Sequence, residues 1–442
     1  MNKDLTKGNV RTVLLSFIIP LLGSMMFQQL YNITDSLVAG KLISSAALAA
    51  VGNSYEITLI FISFATGISM GCSVVVSQLF GAGRKSDVKC AVSTTFILTL
   101  VVSITLLLLG IIFSKPLLKV IKTPEDLVDP SLQYLEIYTI GVPFLFLYNT
   151  SNGIFSALGD SKTPFIFLAI SSILNIIVDI VFVACFGMGI RGVALATFLC
   201  QGLSSIVSLI VVIKRLKNLD TSKFKLFSLS ILKKILIIAI PSTCQQLFVS
   251  VGNILIQTVI NSFGAVVMAA YAAAIKLNNM VITALMTLGN GVSSFTAQNI
   301  GAGLSERVKK GYREGLLISF IFTIPIALIF LIFGKYLLLM FIAAKDINII
   351  EAGRSFQLIV SWFYLVVAVK IITDGSLRGM GKMGALMTST FADLIIRVVL
   401  SFILSITFGY VGIWYSWPIG WVIGMAFSVL FYIKADKGKS II

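Results

Sequence analysis

Long apolar segments recur along the whole of this 442-residue sequence, and each is long enough to cross a lipid bilayer. A transmembrane helix needs about 20 mainly apolar residues to span a hydrocarbon core of about 30 Å. Twelve segments of this kind are separated by short polar connectors, and they cover residues 12–36, 46–79, 90–114, 131–157, 163–186, 191–213, 231–261, 265–298, 314–342, 353–379, 384–408 and 411–433. Because the runs are continuous and do not alternate as ten-residue strands would, they predict an all-α integral membrane protein with twelve transmembrane helices.

The charged residues are few, and their placement predicts the orientation in the membrane. Only 12% of the residues are charged and 57% are hydrophobic, yet the formal net charge is +16. With both termini in the cytoplasm, about 23 of the 34 Lys and Arg residues lie in inner connectors and about eight in outer ones. The positive-inside rule favours this orientation and explains the basic character without a nucleic-acid partner. We therefore expect a multi-pass protein of the plasma (inner) membrane.

Other classes of protein find little support. The five cysteines have no metal-ligand spacing, and no GxxxxGK[ST] nucleotide-binding loop occurs. We expect no cofactor and no enzymatic activity. The expected partners are the lipid bilayer and small molecules, and the protein is expected to act as a monomer.

The chain contains an internal duplication. The segment SQLFGAGRKSDV (77–88) matches AQNIGAGLSERV (297–308) at an offset of 220 residues, and Pro20 matches Pro241 at nearly the same offset. Since six helices are an even number, both copies enter the membrane from the same side and form parallel repeats. The predicted divisions are an N-lobe at 1–213, a cytoplasmic linker at 214–230 and a C-lobe at 231–442. Transporters built from such repeats bind substrate between them and alternate access.

Two acids interrupt apolar runs of the first repeat, Asp35 in YNITDSLVAG and Asp179 in LNIIVDIVF. An acid near the bilayer centre costs about 2.5 to 3.5 kcal/mol, which makes each one a functional candidate. The second repeat has no equivalent, because Asp35, Asn175, Asp179 and Thr197 align with Ile256, Arg397, Ser401 and Trp417.

The depth of these polar residues can be compared by counting along the helices. At 1.5 Å per residue, Asp35, Asp179 and Thr197 each lie about 9 to 12 Å from an outer connector, and Asn175 shares a helix face with Asp179. Carboxylate, amide and hydroxyl oxygens suit a hard cation. The pattern therefore predicts a cation site.

Three interpretations of this set remain open. The acids form hydrogen bonds to neighbouring helices only, or they bind Na⁺, or they exchange a proton, since two nearby carboxylates repel each other. The absence of histidine would leave a proton relay to the carboxylates alone. We favour Na⁺.

Further intramembrane residues have structural or mechanical interpretations. Pro20 shares a predicted helix with Asp35 and is a candidate hinge, because a proline removes a helix hydrogen bond and permits a kink. Two i,i+4 pairs in the second repeat, Asp393 with Arg397 and Asp374 with Arg378, are expected to be local ion pairs.

The apolar duplication, the proline followed by Asn and Asp in the first span, SQLFGAGR, ALGDSKTP and LNIIVDIVF together resemble the multidrug and toxic compound extrusion (MATE) family. The resemblance extends over essentially the whole chain. It implies a V-shaped, bilobed, pseudo-twofold antiporter that expels amphipathic, often cationic compounds by using Na⁺ or H⁺ entry. It places the family's cation-site pattern on Asp35, Asn175, Asp179 and Thr197, and its substrate cavity along Gln28, Tyr31 and Asn152.

The sequence departs from a second branch of the family that has acids in the C-lobe. Those positions fall near Val249 and Val367, so no second cation site is expected there. The predicted function is cation-coupled multidrug efflux by alternating access, a route to antibiotic resistance. The alternative is a lipid-precursor or polysaccharide flippase of the same superfamily. A flippase for anionic head groups would need a cavity lined by Arg and Lys, whereas the acids of the N-lobe favour cation export.

Overall fold

The computed structural model describes residues 4–121, 123–219 and 224–437, and most of these residues are helical, with no strand among them. The first repeat contains α1 (Val10–Val38), α2 (Ser45–Gly81), α3 (Lys85–Val120), α4 (Glu125–Ile140), α5 (Val142–Ala157), α6 (Lys162–Ile180) and α7 (Gly189–Lys217). The second contains α8 (Leu229–Asn261), α9 (Ala265–Gly301), α10 (Ser305–Leu338), α11 (Ile347–Ser361), α12 (Tyr364–Gly379), α13 (Met383–Phe408) and α14 (Tyr410–Asp436). The chain termini and residues 220–223 of the predicted linker lie outside the described residues.

The apolar helices agree closely with the predicted spans. Among the described residues, ten single helices are long and apolar enough to cross a membrane. The pair α11 and α12, bent by 54° at its break, forms an eleventh span, and the predicted span 131–157 corresponds to α4 and α5. Gly141 lies at the break between those two helices. Pro143 follows as the second residue of α5, where it favours a helix start because a proline lacks the N–H that a continuous helix would use there. The all-α membrane fold is therefore confirmed.

The two repeats place their helices in the same order and pack them in the same way. In the first repeat α5 packs against α2, α3 and α7, and in the second α12 packs against α9, α10 and α14. Gly153 of α5 lies so close to α2 that a Cβ would sit 2.6 Å from the carbonyl oxygen of Ser69. Gly375 of α12 approaches Gly289 of α9 in the equivalent manner. Small residues at these contacts allow the helix backbones to touch.

The repeated GAG motif forms a tight turn between two antiparallel helices. Gly83 has φ +70° after α2, and Gly303 has φ +72° after α9. Residues with a Cβ rarely adopt this left-handed conformation, so glycine is needed at both positions. The shared motif therefore has a structural role, as its position at helix ends suggests.

Contacts between residues divide the chain into two compact units. Unit 1 contains residues 1–4 and 19–243, and unit 2 contains residues 5–18 and 244–442. The boundaries at 18/19 and 243/244 fall within α1 and α8, close to Pro20 and Pro241. The predicted lobes at 1–213, 214–230 and 231–442 divide the chain by repeat, whereas these units divide it by contact. The lobe boundaries therefore remain a prediction.

Candidate functional site

The motif ALGDSKTP (157–164) forms the turn that starts α6. Asp160 Oδ1 accepts hydrogen bonds from the backbone N–H groups of Lys162 and Thr163, both at 3.1 Å. These are groups that the first turn of a helix leaves unpaired. Arg215 near the end of α7 forms an ion pair with the same carboxylate. The turn thus ties together α6 and α7, the helices on which three of the predicted cation-site residues lie.

Asp35, Asn175 and Asp179 meet in the interior of unit 1. Asp179 is fully buried and Asp35 is 7% exposed. Asn175 is buried with them, and its neighbours require that its amide nitrogen faces the acids, donating to Asp35 Oδ1 at 3.1 Å and to Asp179 Oδ2 at 3.2 Å. The Asn175 amide therefore bridges the two carboxylates and joins α6 to α1.

Thr197 and Tyr31 complete the cluster. The Tyr31 hydroxyl donates to Thr197 Oγ1 at 3.2 Å, which joins α1 to α7. Both hydroxyl groups lie beside the Asp35 carboxyl group. A residue expected to line the substrate cavity therefore contacts a residue expected to bind the cation.

Three other predicted residues lie apart from the acid pair. Gln28 is exposed on α1, and no described contact joins it to the acids. Asn152 on α5 is partly buried, and its Oδ1 has no hydrogen-bond partner among the described residues. Pro20 lies inside α1, on the same helix as Asp35. The structure leaves their proposed roles as predictions.

Each acid is followed by a short π-helical segment. Ala39–Ile43 begins one turn after Asp35, and Val181–Cys185 begins two residues after Asp179. The two segments contact each other. Wide turns of this kind occur often at functional sites, because they interrupt the regular i→i−4 hydrogen bonding of a helix. The first repeat thus departs from regular helix at the same place where it contains buried acids.

The acid pair lacks a positive partner. No Lys or Arg whose side chain the structure describes lies within ion-pair distance of Asp35 or Asp179. The described part of the chain also contains no group of three or more His, Cys, Asp or Glu side chains arranged for a metal ion. A cation at this place would therefore depend on the amide and hydroxyl groups as well as on the two acids.

In unit 2 the buried acids Asp374 and Asp393 do have positive partners. Asp393 Oδ1 accepts from Arg397 at 2.7 Å, which confirms that predicted pair. The predicted pair of Asp374 with Arg378 is wrong, because Asp374 Oδ2 pairs with Lys370 at 3.1 Å and Arg378 donates to an amide oxygen on α9. Lys370 lies four residues before Asp374 and Arg378 lies four residues after it, so the spacing in the sequence does not distinguish them. The Lys370 Nζ also lies 3.7 Å from Asp393 Oδ2. The packing of the helices thus places Lys370, and not Arg378, close to both acids.

Sequence reasoning missed two neighbours of the acid pair. Tyr134 on α4 is buried and close enough to Asp35 and Asp179 to interact electrostatically with both. Cys200, one turn after Thr197 on α7, is close to the same acids. Tyr134 stacks with Tyr138 one turn later. This pair of tyrosines at helical spacing in an apolar span was the feature of the sequence that could have identified Tyr134.

The comparisons with known proteins agree with this architecture. The MatE family matches residues 20–181 and 241–430, which are parts of both repeats. The probable multidrug resistance protein YpnP of Bacillus subtilis is 32% identical over 96% of this chain and 94% of its own length. A FAD transporter of Shewanella oneidensis is 26% identical over 72% of this chain and 71% of its own.

A solved structure shares the fold. The outward-facing conformation of a multidrug resistance MATE family transporter of the MOP superfamily superposes with a TM-score of 0.92. It is 21% identical in sequence, and the match covers 99% of this chain and 98% of that one. At this identity the likeness establishes the fold alone.

The duplicated helical fold and a buried polar site inside one unit define a multi-pass membrane transporter rather than an enzyme. The match over both repeats and the 32% identity to YpnP show the family of transporters to which it belongs. The chain is a member of the MATE family.

Proposed function

We propose that this protein is a cation-coupled multidrug efflux antiporter whose coupling cation binds at Asp35, Asn175, Asp179 and Thr197. The observation that best supports this proposal is the pair of buried acids that has no positive partner among the described side chains. A buried charge is costly unless it is paired, and unit 2 shows how this chain pairs the acids that serve its structure. Asp35 and Asp179 are left for a partner that arrives from solution, whereas Asp160, the other buried acid of unit 1, is paired with Arg215.

Na⁺ is the favoured coupling ion. Two carboxylates, an amide and a hydroxyl from three helices offer the oxygen ligands that a hard cation prefers. In the structure the nitrogen of Asn175 faces the acids. A half-turn of that amide presents its oxygen instead, so the same side chain serves the ion-free and the ion-bound site. A proton shared by the two acids is the alternative, and it would need neither the amide oxygen nor Thr197.

The hydrogen bond from Tyr31 to Thr197 offers a route for coupling. Tyr31 lies on α1 among the residues assigned to the substrate cavity by family resemblance, and Thr197 belongs to the proposed cation site. Cation binding would hold α1 against α6 and α7, and a substrate that displaces Tyr31 would favour cation release. Exchange requires that each ligand prefers a different conformation, because a ligand that binds both equally shifts neither population.

The cargo is proposed to be amphipathic and often cationic, in line with the multidrug resistance named for YpnP. The FAD transporter is named for an anionic dinucleotide, so the assay below includes a flavin arm. We also propose that the protein is a monomer of the plasma membrane with both termini in the cytoplasm. The excess of Lys and Arg in the inner connectors supports that orientation.

The function is tested by efflux from proteoliposomes under an imposed Na⁺ or pH gradient, with a cationic dye or FAD as cargo. We expect dye export that follows the Na⁺ gradient and is abolished by Asp35→Asn. Glu56→Gln is the matched control, since Glu56 is an exposed acid on α2, and it should transport normally. Normal coupled export by Asp35→Asn would contradict the cation-site assignment. Export that follows only the pH gradient would replace Na⁺ by H⁺.

A further inference from the structure

A cavity of about 630 Å³ lies in unit 1 between α3, α5 and α7, apart from the acid pair. Neither acid lines it, and neither do Asn175, Thr197 or Tyr31. Its walls are mainly aliphatic and aromatic side chains, including Phe96, Leu100, Phe144, Leu147, Leu209 and Ile213. Leu100 and Ile213 are 57% and 43% exposed, so the cavity reaches the outer face of the helices. It therefore opens where lipid chains surround a membrane protein.

The hydroxyl groups in this wall are already hydrogen-bonded within the protein. Thr99 Oγ1 bonds to a threonine of α5 at 2.8 Å. Ser93 Oγ donates to the carbonyl of Leu226 at 2.6 Å, and Ser103 Oγ donates to that of Leu100 at 3.1 Å. Most of the cavity thus presents hydrocarbon to an occupant, which suits an acyl chain.

Two lysines lie at the end of the cavity nearest the linker. Lys89 at the start of α3 is 9% exposed, and its Nζ lies 5.9 Å from the ring centre of Phe224. Lys217 at the end of α7 lines the same end. No carboxylate of the described residues forms an ion pair with either lysine. Lys217 is exposed, whereas Lys89 is a nearly buried lysine, and a buried positive charge without an anion is costly. This end of the cavity therefore favours an anionic ligand.

The duplication provides an internal comparison for Lys89. At the offset of 220 its counterpart is Lys309 on α10, which pairs with Glu306 at 3.2 Å and with Asp436 at 3.3 Å. The first repeat has Ser86 and Leu216 at the positions of those two acids, and Leu216 lines the cavity. The lysine at this position is therefore neutralised in the second repeat, whereas in the first repeat it faces a cavity with no carboxylate among its described lining residues.

The dimensions match a lipid in one leaflet. Lys89 and Ser103 both line the cavity and are fourteen residues apart on α3, which is about 21 Å of helix. Half of a hydrocarbon core is about 15 Å thick, so the cavity extends from the interface to about the bilayer centre. Basic clusters at the inner surface of membrane helices commonly bind anionic head groups.

We propose that this cavity binds an anionic phospholipid of the linker-side leaflet, with the phosphate between Lys89 and Lys217 and one acyl chain along α3 and α7. The site differs from the proposed cation and drug sites in both location and charge. The lipid would fill the space between three helices of unit 1. Anionic lipid content would then control the stability of that unit.

The test is native mass spectrometry of the full chain in detergent, with phosphatidylglycerol and phosphatidylcholine of identical acyl chains as probes. We expect the protein to retain phosphatidylglycerol at least tenfold more strongly than phosphatidylcholine. Lys89→Gln combined with Lys217→Gln should reduce phosphatidylglycerol to the level of phosphatidylcholine, and Lys89→Arg should retain it. Lys309→Gln is the matched control and should bind as the wild type does.

Two further experiments distinguish the contribution of the lipid head group from that of the acyl chain. Inorganic phosphate alone should not displace the lipid, and Leu209→Trp, which fills the cavity, should weaken binding of the lipid although both lysines remain. Equal retention of the two phospholipids by the wild type would overturn the proposal. So would full phosphatidylglycerol binding by the double variant, or binding of inorganic phosphate as strong as that of the lipid. Thermal unfolding without added lipid checks that each variant is folded.

Discussion

Asp179→Asn removes one of two buried like charges, and we expect it to stabilise the protein in Na⁺-free alkaline buffer. Most substitutions of buried residues destabilise a protein. The opposite sign is expected here because Asp179 is fully buried, lies near Asp35 and has no positive partner among the described residues. Asn keeps the size of the side chain and still accepts the hydrogen bond from Asn175.

The size of this effect follows from the geometry around Asn175. Its amide lies 3.1 Å from an oxygen of Asp35 and 3.2 Å from an oxygen of Asp179, so those oxygens are at most about 6 Å apart. Two unit charges at that separation repel by about 2.8 kcal/mol at an effective dielectric constant of about 20. Na⁺ at about 100 times its Kd would stabilise the wild type by about 2.7 kcal/mol through mass action. The ion and the substitution should therefore have effects of similar size.

The assay is thermal unfolding of the full chain in detergent, at constant ionic strength and alkaline pH, with Na⁺ replaced stepwise by choline or K⁺. The wild type should gain stability with Na⁺ and much less with K⁺. In choline, Asp179→Asn should unfold at a higher temperature than the wild type, and its unfolding temperature should change little when Na⁺ is added.

The matched control is Asp393→Asn, which removes a buried acid that is paired with Arg397 and lies near Lys370. It should destabilise the protein by about 3 to 5 kcal/mol with or without Na⁺, because it leaves a buried positive charge unpaired. If Asp179→Asn is less stable than the wild type in choline, the argument from unpaired repulsion is refuted.

Three further predictions test other parts of the structure. Thr197→Val should raise the Na⁺ concentration for half-maximal thermal stabilisation about fivefold, since it removes one interaction of about 1 kcal/mol, and an unchanged midpoint would exclude Thr197 as a ligand. Pro20→Ala should slow efflux from proteoliposomes while leaving the Na⁺-induced thermal shift intact, and wild-type turnover would remove the hinge proposal. Gly153→Ala should lower the thermal stability by about 1 to 3 kcal/mol because its methyl group would lie 2.6 Å from the carbonyl oxygen of Ser69, whereas Gly52→Ala, with nothing within 4 Å, should cost nothing.

The sequence by itself determined the membrane helices and the duplication. A bilayer core offers the backbone no water to bond with, so a spanning segment must be a long apolar helix, and such a segment is visible in any window of about 20 residues. The offset of 220 between the GAG motifs identified the repeats in the same local manner. It also identified Asp35 and Asp179 as the acids that one repeat has and the other lacks.

Only the tertiary structure decided which side chains meet. Asp374 has a basic residue four positions away on either side, and only the packing of α12 against α13 and α14 chose Lys370. The placement of Asn175 between the two acids, the approach of Tyr134 and the π-helical segments after each acid depend on how neighbouring helices are rotated and where they touch. Hydropathy is a property of each segment alone, whereas a side-chain partner depends on two helices at once, and for that reason the acids were visible in the sequence but their surroundings were not.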